Sequence, residues 1–105
     1  MTKPRIINIL GKKYKLIFID GILKYGEDED EPTYATGDTD STNKVIRIST
    51  AVAKEEQYDT LIHEILHAID DELVLKIPHD TLHRISTSLT DTLLRNNIIT
   101  FRKLK

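Results

Sequence analysis

The feature that most constrains the fold is a change of hydrophobic period near residue 53. After it, Tyr58, Ile62, Ile65, Leu66, Ile69 and Leu73 recur at helical spacing and form one apolar stripe. Ser49 or Thr50 suits the N-cap region, and Glu55 and Glu56 suit a first turn. Pro78 interrupts this helix. Asp80 can then cap a second one, with Leu82, Ile85, Leu89 and Leu93 as its stripe. The short connection predicts an antiparallel helical hairpin. Ahead of residue 53 the pattern is strand-like. "RIINIL" and "YKLIFID" are joined by "GKK", and "TYATG" and "KVIRIST" by the polar "DTDSTN". "GEDEDEP", residues 26–32, reads as a solvated acidic loop, because it lacks the spaced oxygen ligands of a calcium loop. The expectation is one α+β domain over residues 1–105. It is β-rich over 1–50 and helical over 53–97, with a short basic tail over 98–105. A small, largely antiparallel sheet packs on a two-helix hairpin.

Composition narrows the chemistry. The 105 residues allow one modest core. A formal net charge of -2 gives no basic footprint for nucleic acid. There is no cysteine, so a metal must be held by His, Asp or Glu. The first apolar run is too short for a signal-peptide core, and no run approaches a membrane span. These features predict a soluble cytoplasmic protein.

Within the first helix stands His63-Glu64-Ile65-Leu66-His67. Shuffling this composition yields the HExxH pattern with an expectation of only ~0.01, so it is sharper than most short motifs. Residues four apart share a helix face, so His63 and His67 point the same way, beside the apolar stripe. Two imidazoles at this spacing can reach one tetrahedral ion. Glu64 is rotated by about 100° from His63, too far to ligate but placed to touch a water on that ion. Neutral imidazoles leave the charge of Zn²⁺ uncancelled, so its water acidifies towards pKa ~7. A neighbouring carboxylate can take that proton during attack on a peptide carbonyl and return it to the leaving amine.

"TLIHEILHAID" resembles the active-site helix of zincin metallopeptidases. More narrowly, the chain resembles small zincin-like proteins of phages and prophages, loosely related to the SprT-like and ImmA/IrrE-like groups. The likeness covers the front sheet, the "KVIRIS" strand before the helix, and a final helix ending "LLRNN". It implies a zinc-dependent peptidase with His63 and His67 as ligands, Glu64 as base and acid, and one Zn²⁺ per chain. The third ligand departs from the family pattern. Metzincins carry Gly and His three and six residues after the second motif histidine, where this chain has Asp70 and Leu73. Gluzincins use a glutamate on the following helix, and "HDTLHRISTSLTDTLL" has none. His83 best matches that glutamate and would complete a three-histidine site. His79 shares its face and is the alternative, as ligand or as partner to a developing oxyanion. Asp70, as ligand or imidazole partner, and Asp80, as ligand or cap, stay open.

The expected activity is hydrolysis of a peptide bond in a peptide or protein substrate, at a cleft edged by "KVIRIST". Two other readings are a zinc-stabilised, non-catalytic binding module and a metal-free phage interaction protein that keeps only the zincin-like shape. They differ in what Glu64→Gln and metal removal would do.

Overall fold

The computed structural model describes residues 5–25 and 33–99. The acidic loop at 26–32 and most of the basic tail lie outside the described residues. Strands β1 (Arg5–Ile9) and β2 (Lys12–Ile19) form an antiparallel hairpin running from Arg5↔Leu16 to Ile9↔Lys12. Its turn is Leu10-Gly11, with φ of 53° and 80°. Positive φ at both positions matches the right-handed twist of the strands. The two lysines of "GKK" therefore belong to β2 rather than to the turn.

Strands β3 (Leu23–Tyr25) and β4 (Thr33–Ala35) make a separate two-stranded sheet. β5 (Gly37–Asp40) and β6 (Val45–Ser49) pair antiparallel through a turn in which the Asn43 backbone N–H donates to Asp40 Oδ1 at 3.0 Å. β6 also pairs parallel with β2, from Lys15↔Val45 to Ile19↔Ser49, giving the order β1-β2-β6-β5. The sheet is thus mixed, with a parallel ladder between two antiparallel ones. The residues from 20 to 44 make the long crossover that a parallel pair requires. "KVIRIST" therefore runs through the interior of the sheet, with Ile46 and Ile48 fully buried, and the edges belong to β1 and β5.

Helix α1 (Lys54–Leu73) lies on this sheet, and α2 (His79–Arg95) packs along α1. Ile9, Tyr14, Leu16, Ile46 and Ile48 form the core with Ala68, and Leu61, Ile65 and Ile69 pack against them. The expected caps are replaced. Ala53 precedes α1 without a side-chain bond, while Ser49 Oγ accepts the Ala51 N–H at 3.1 Å and shapes the approach to the helix. Pro78 precedes α2, and Asp80 stands in its first turn, paired with Arg84 at 3.2 Å.

The expected apolar stripe of α2 is only partly its inner face. Leu82 is buried, but Ile85 and Leu89 are 41% and 40% exposed, and Ser86 and Thr90 take the inner positions. Both hydroxyls are satisfied within the helix. Ser86 donates to the His83 carbonyl at 2.9 Å and Thr90 to the Ser86 carbonyl at 2.7 Å. Such back-bonding lets small polar residues be buried between helices without an unpaired group.

Two polar devices fix α1 at its C-terminal end. Tyr14 donates to Glu72 Oε1 at 2.7 Å, Lys44 Nζ reaches the same oxygen at 2.5 Å, and Lys12 Nζ lies 3.3 Å from Oε2. Donation from Lys44, then from Tyr14, holds the Glu72 carboxyl down to about 2. Beyond the helix, Val74 adopts a left-handed conformation (φ 52°, ψ 47°), and the buried Asp70 accepts the Ile77 backbone N–H at 3.0 Å. This short connection delivers Pro78 and the first residue of α2 back beside α1.

Candidate metal centre

Helical spacing places His63 and His67 on one face of α1, and the connection places His79 opposite them. The three Nε2 atoms converge. His63 lies 3.0 Å from His67 and 3.2 Å from His79, and one nitrogen from each ring lies within 4.8 Å of the others. A tetrahedral zinc with Zn–N near 2.0–2.1 Å holds its nitrogens about 3.3 Å apart. Two of the three separations are already close to that value. The group could hold a metal ion. Its donor set of three imidazoles suits a borderline-soft divalent ion rather than magnesium or calcium.

His83 stands outside this donor group. It is exposed on the wall of the same cleft, with its ring centroid 5.9 Å from that of His63. The geometric cause is the start of α2. Because the helix begins directly after Pro78, residue 79 sits across from the two motif histidines, and residue 83 falls one turn further along. His79 was the competing candidate in the sequence. Asp70 is engaged by Ile77, and Asp71 accepts from Ser41 at 2.5 Å, so both carboxylates bond to groups other than the imidazoles. Asp80 pairs with Arg84 on the surface. Tyr34, 61% exposed, lines the cleft, and Tyr58 is buried.

The electrostatics favour the ligating form of the imidazoles. Burial, then the neighbouring His67, His79 and His83, push His63 down to about 4. Burial and His79 lower His67. Both are neutral near pH 7, as metal binding requires. His63 Nδ1 lies 3.4 Å from Ser86 Oγ on α2.

Glu64 is only 6% exposed, set between α1 and the edge strand β5. Thr39 Oγ1 donates to its Oε1 at 2.8 Å and lies 3.0 Å from its carbonyl oxygen. Burial raises the carboxyl to about 7, against the lowering effect of the Thr39 hydroxyl, and the Asp38 charge adds to the rise. β5 can approach this closely because residue 37 is glycine. A Cβ there would lie 2.5 Å from Thr60 Cγ2 and 2.9 Å from the Arg47 carbonyl oxygen. The Thr36 and Thr60 hydroxyls, 2.9 Å apart, add a further tie. Gly37, Thr39 and Ser86 are not singled out by the sequence pattern. A glycine ahead of "DTD" is a general sign of close backbone approach, but nothing nearby marks Glu64 as what it approaches.

His63, His79 and Glu64 open into a cleft of about 430 Å³ that also takes in Ile22, Tyr34 and Gly37, and His67 lines a smaller hollow beside it. The chain matches no family model, no curated protein and no solved structure. No helix among the described residues is long and apolar enough to cross a membrane.

Proposed function

We propose that the chain is a zinc-dependent, zincin-like metallopeptidase. The observation that carries this reading is the convergence of three imidazole nitrogens beside a buried glutamate raised to about 7. In it, His63, His67 and His79 hold one Zn²⁺. Such an ion, when held there, would supply Lewis acidity and acidify a water. Glu64 takes the proton of the attacking water as its oxygen bonds to the carbonyl carbon. It then delivers that proton to the departing amine as the C–N bond breaks. Burial against β5 raises the proton affinity of Glu64 above that of an ordinary carboxylate, which suits it to this exchange. Thr39 occupies one of its oxygens and leaves the other to work. β5 is an edge of the sheet and lines the cleft, which suits an extended peptide that adds to it through main-chain hydrogen bonds. Glu56, Asp59 and Asp71 lie along the cleft walls with no lysine or arginine among the described lining residues, which favours neutral or cationic peptides over acidic ones.

One observation favours a second reading. The three histidines come from both helices, whose shared face is rich in small polar residues, so an ion would also cross-link α1 to α2. In a purely structural site, Glu64 would have no part in function.

The test is metal content by elemental mass spectrometry on untagged protein dialysed against metal-free buffer, followed by a peptide-cleavage screen. About one zinc per chain is expected. His79→Ala should lose it and His83→Ala should keep it. Glu64→Gln should retain zinc and lose cleavage by about 10²-fold or more. Failure of the folded protein to take up zinc would end the metallopeptidase reading. Zinc retention with function unaffected by Glu64→Gln would leave the structural one.

A further inference from the structure

We propose that Ser86 is a positioning residue that fixes His63 as its Nδ1–H tautomer, so that the bare Nε2 faces His67 and His79. A neutral imidazole can hold its proton on either nitrogen, and only the bare one can bind a metal. Which one is bare is decided by the hydrogen bond that the other makes. Ser86 has one hydroxyl hydrogen and two possible uses for it. The His83 carbonyl lies 2.9 Å away and His63 Nδ1 lies 3.4 Å away. The carbonyl is an acceptor only, and it is closer, so the hydrogen goes there. Ser86 Oγ is left with lone pairs towards Nδ1, and His63 must donate.

The surroundings exclude a substitute for this contact. Ser86 is fully buried, so the face of His63 that it covers has no water to take its place. The other hydrogen-bond-range contacts of the ring among the described residues are on its other nitrogen, where His67 and His79 stand at 3.0 and 3.2 Å. The same α2 that carries His79 thus carries the group that turns His63 towards it. This inference rests on the metal reading for its purpose, but the tautomer itself is a property of the metal-free protein.

The experiment is therefore made first without metal. In chelated protein near pH 7.5, long-range ¹⁵N–¹H spectra of the imidazoles distinguish a protonated from a bare nitrogen. Wild type should show His63 protonated at Nδ1 and bare at Nε2. Ser86→Ala, which is nearly isosteric, should raise the Nε2–H population. It should also weaken zinc binding by about tenfold, the lower end for losing an imidazole's outer partner, as a 3.4 Å contact implies. Thr90→Ala is the control. It removes another buried hydroxyl bonded to the α2 backbone, one turn beyond Ser86, and should leave both readouts unchanged. A wild-type His63 protonated at Nε2 overturns the proposal, as does a Ser86→Ala variant indistinguishable from Thr90→Ala. If wild type binds no zinc, the metallopeptidase reading fails, and the spectra still decide the role of Ser86.

Discussion

Glu64→Gln should stabilise the metal-free protein, and the gain should depend on pH. Burial raises the Glu64 carboxyl from 4.5 to about 7 in the folded state. Between those values the unfolded chain has lost the proton while the folded one retains it. The folded state then binds more protons, so stability falls as pH rises through this window and levels off above about 8. With each pH unit worth about 1.4 kcal/mol, the full loss is about 3 kcal/mol, an upper figure because a buried site relaxes and admits water. Glutamine never ionises, and its Oε1 can still accept from Thr39. Its advantage should therefore be a small constant near pH 4.5 and grow by up to about 3 kcal/mol by pH 8.5. His63 and His67 titrate in both proteins, so their contribution largely cancels in the difference. Urea denaturation followed by far-ultraviolet circular dichroism, with chelator present, measures this. At a slope of about 1–3 kcal/mol/M the midpoints should separate by up to roughly 1–3 M at alkaline pH. A gap that stays constant from pH 4.5 to 8.5 would refute the argument that burial against β5 sets the proton affinity of this carboxyl.

Glu72 has the opposite sign. Its carboxyl is held at about 2, so its contribution is present above 4.5 and fades as pH falls towards 2. Glu72→Gln should be less stable than wild type at pH 7, with denaturation midpoints that converge over that acid range. Val74→Gly should raise the melting temperature by roughly 5 °C, from about 1 kcal/mol of relieved left-handed strain at a residue that is 69% exposed. A lower melting temperature would show that the connection relies on the stiffness of valine. Gly37→Ala should cost about 1–3 kcal/mol, because its Cβ meets Thr60 and a backbone oxygen. It should also lower the proton affinity of Glu64 as β5 lifts away, which the pH series above would detect.

The legible parts of the sequence were those in which one local pattern decides the outcome. The 3.6-residue period gave α1 and the shared face of His63 and His67. Ile and Phe runs gave β1 and β2. The α+β arrangement followed from their order along the chain. The parallel β2–β6 ladder was not legible, because pairing partners so distant leave no trace in local periodicity. β5 was concealed for a different reason. "GDTD" has turn composition, and it becomes a strand only because β6 pairs with it and α1 packs against it. On α2, Leu82, Ile85 and Leu89 read as a stripe, yet the helix turns Ser86 and Thr90 inward. Hydroxyls that bond their own helix lose the polar penalty that hydrophobic pattern reading assumes. For the site, choosing between His79 and His83 needed the start of α2 to within one turn. Sequence patterns define helix ends less closely than that.

The mixed sheet also implies an order of events during folding. His63, His67 and His79 lie within residues 63–79, inside a helical hairpin whose contacts are local in the chain. The surroundings of Glu64 come from β5, whose hairpin with β6 must dock against α1 through contacts such as Thr39 to Glu64, 25 residues apart in the chain. Local contacts form fast and distant pairings slowly. The three imidazoles can therefore gather before the sheet closes, and an ion captured at that stage would tie the helices together as a nucleus for the rest. The proton affinity of Glu64 would be set last, when β5 docks, so that a nascent chain would assemble its imidazole cluster before the carboxyl beside it is tuned.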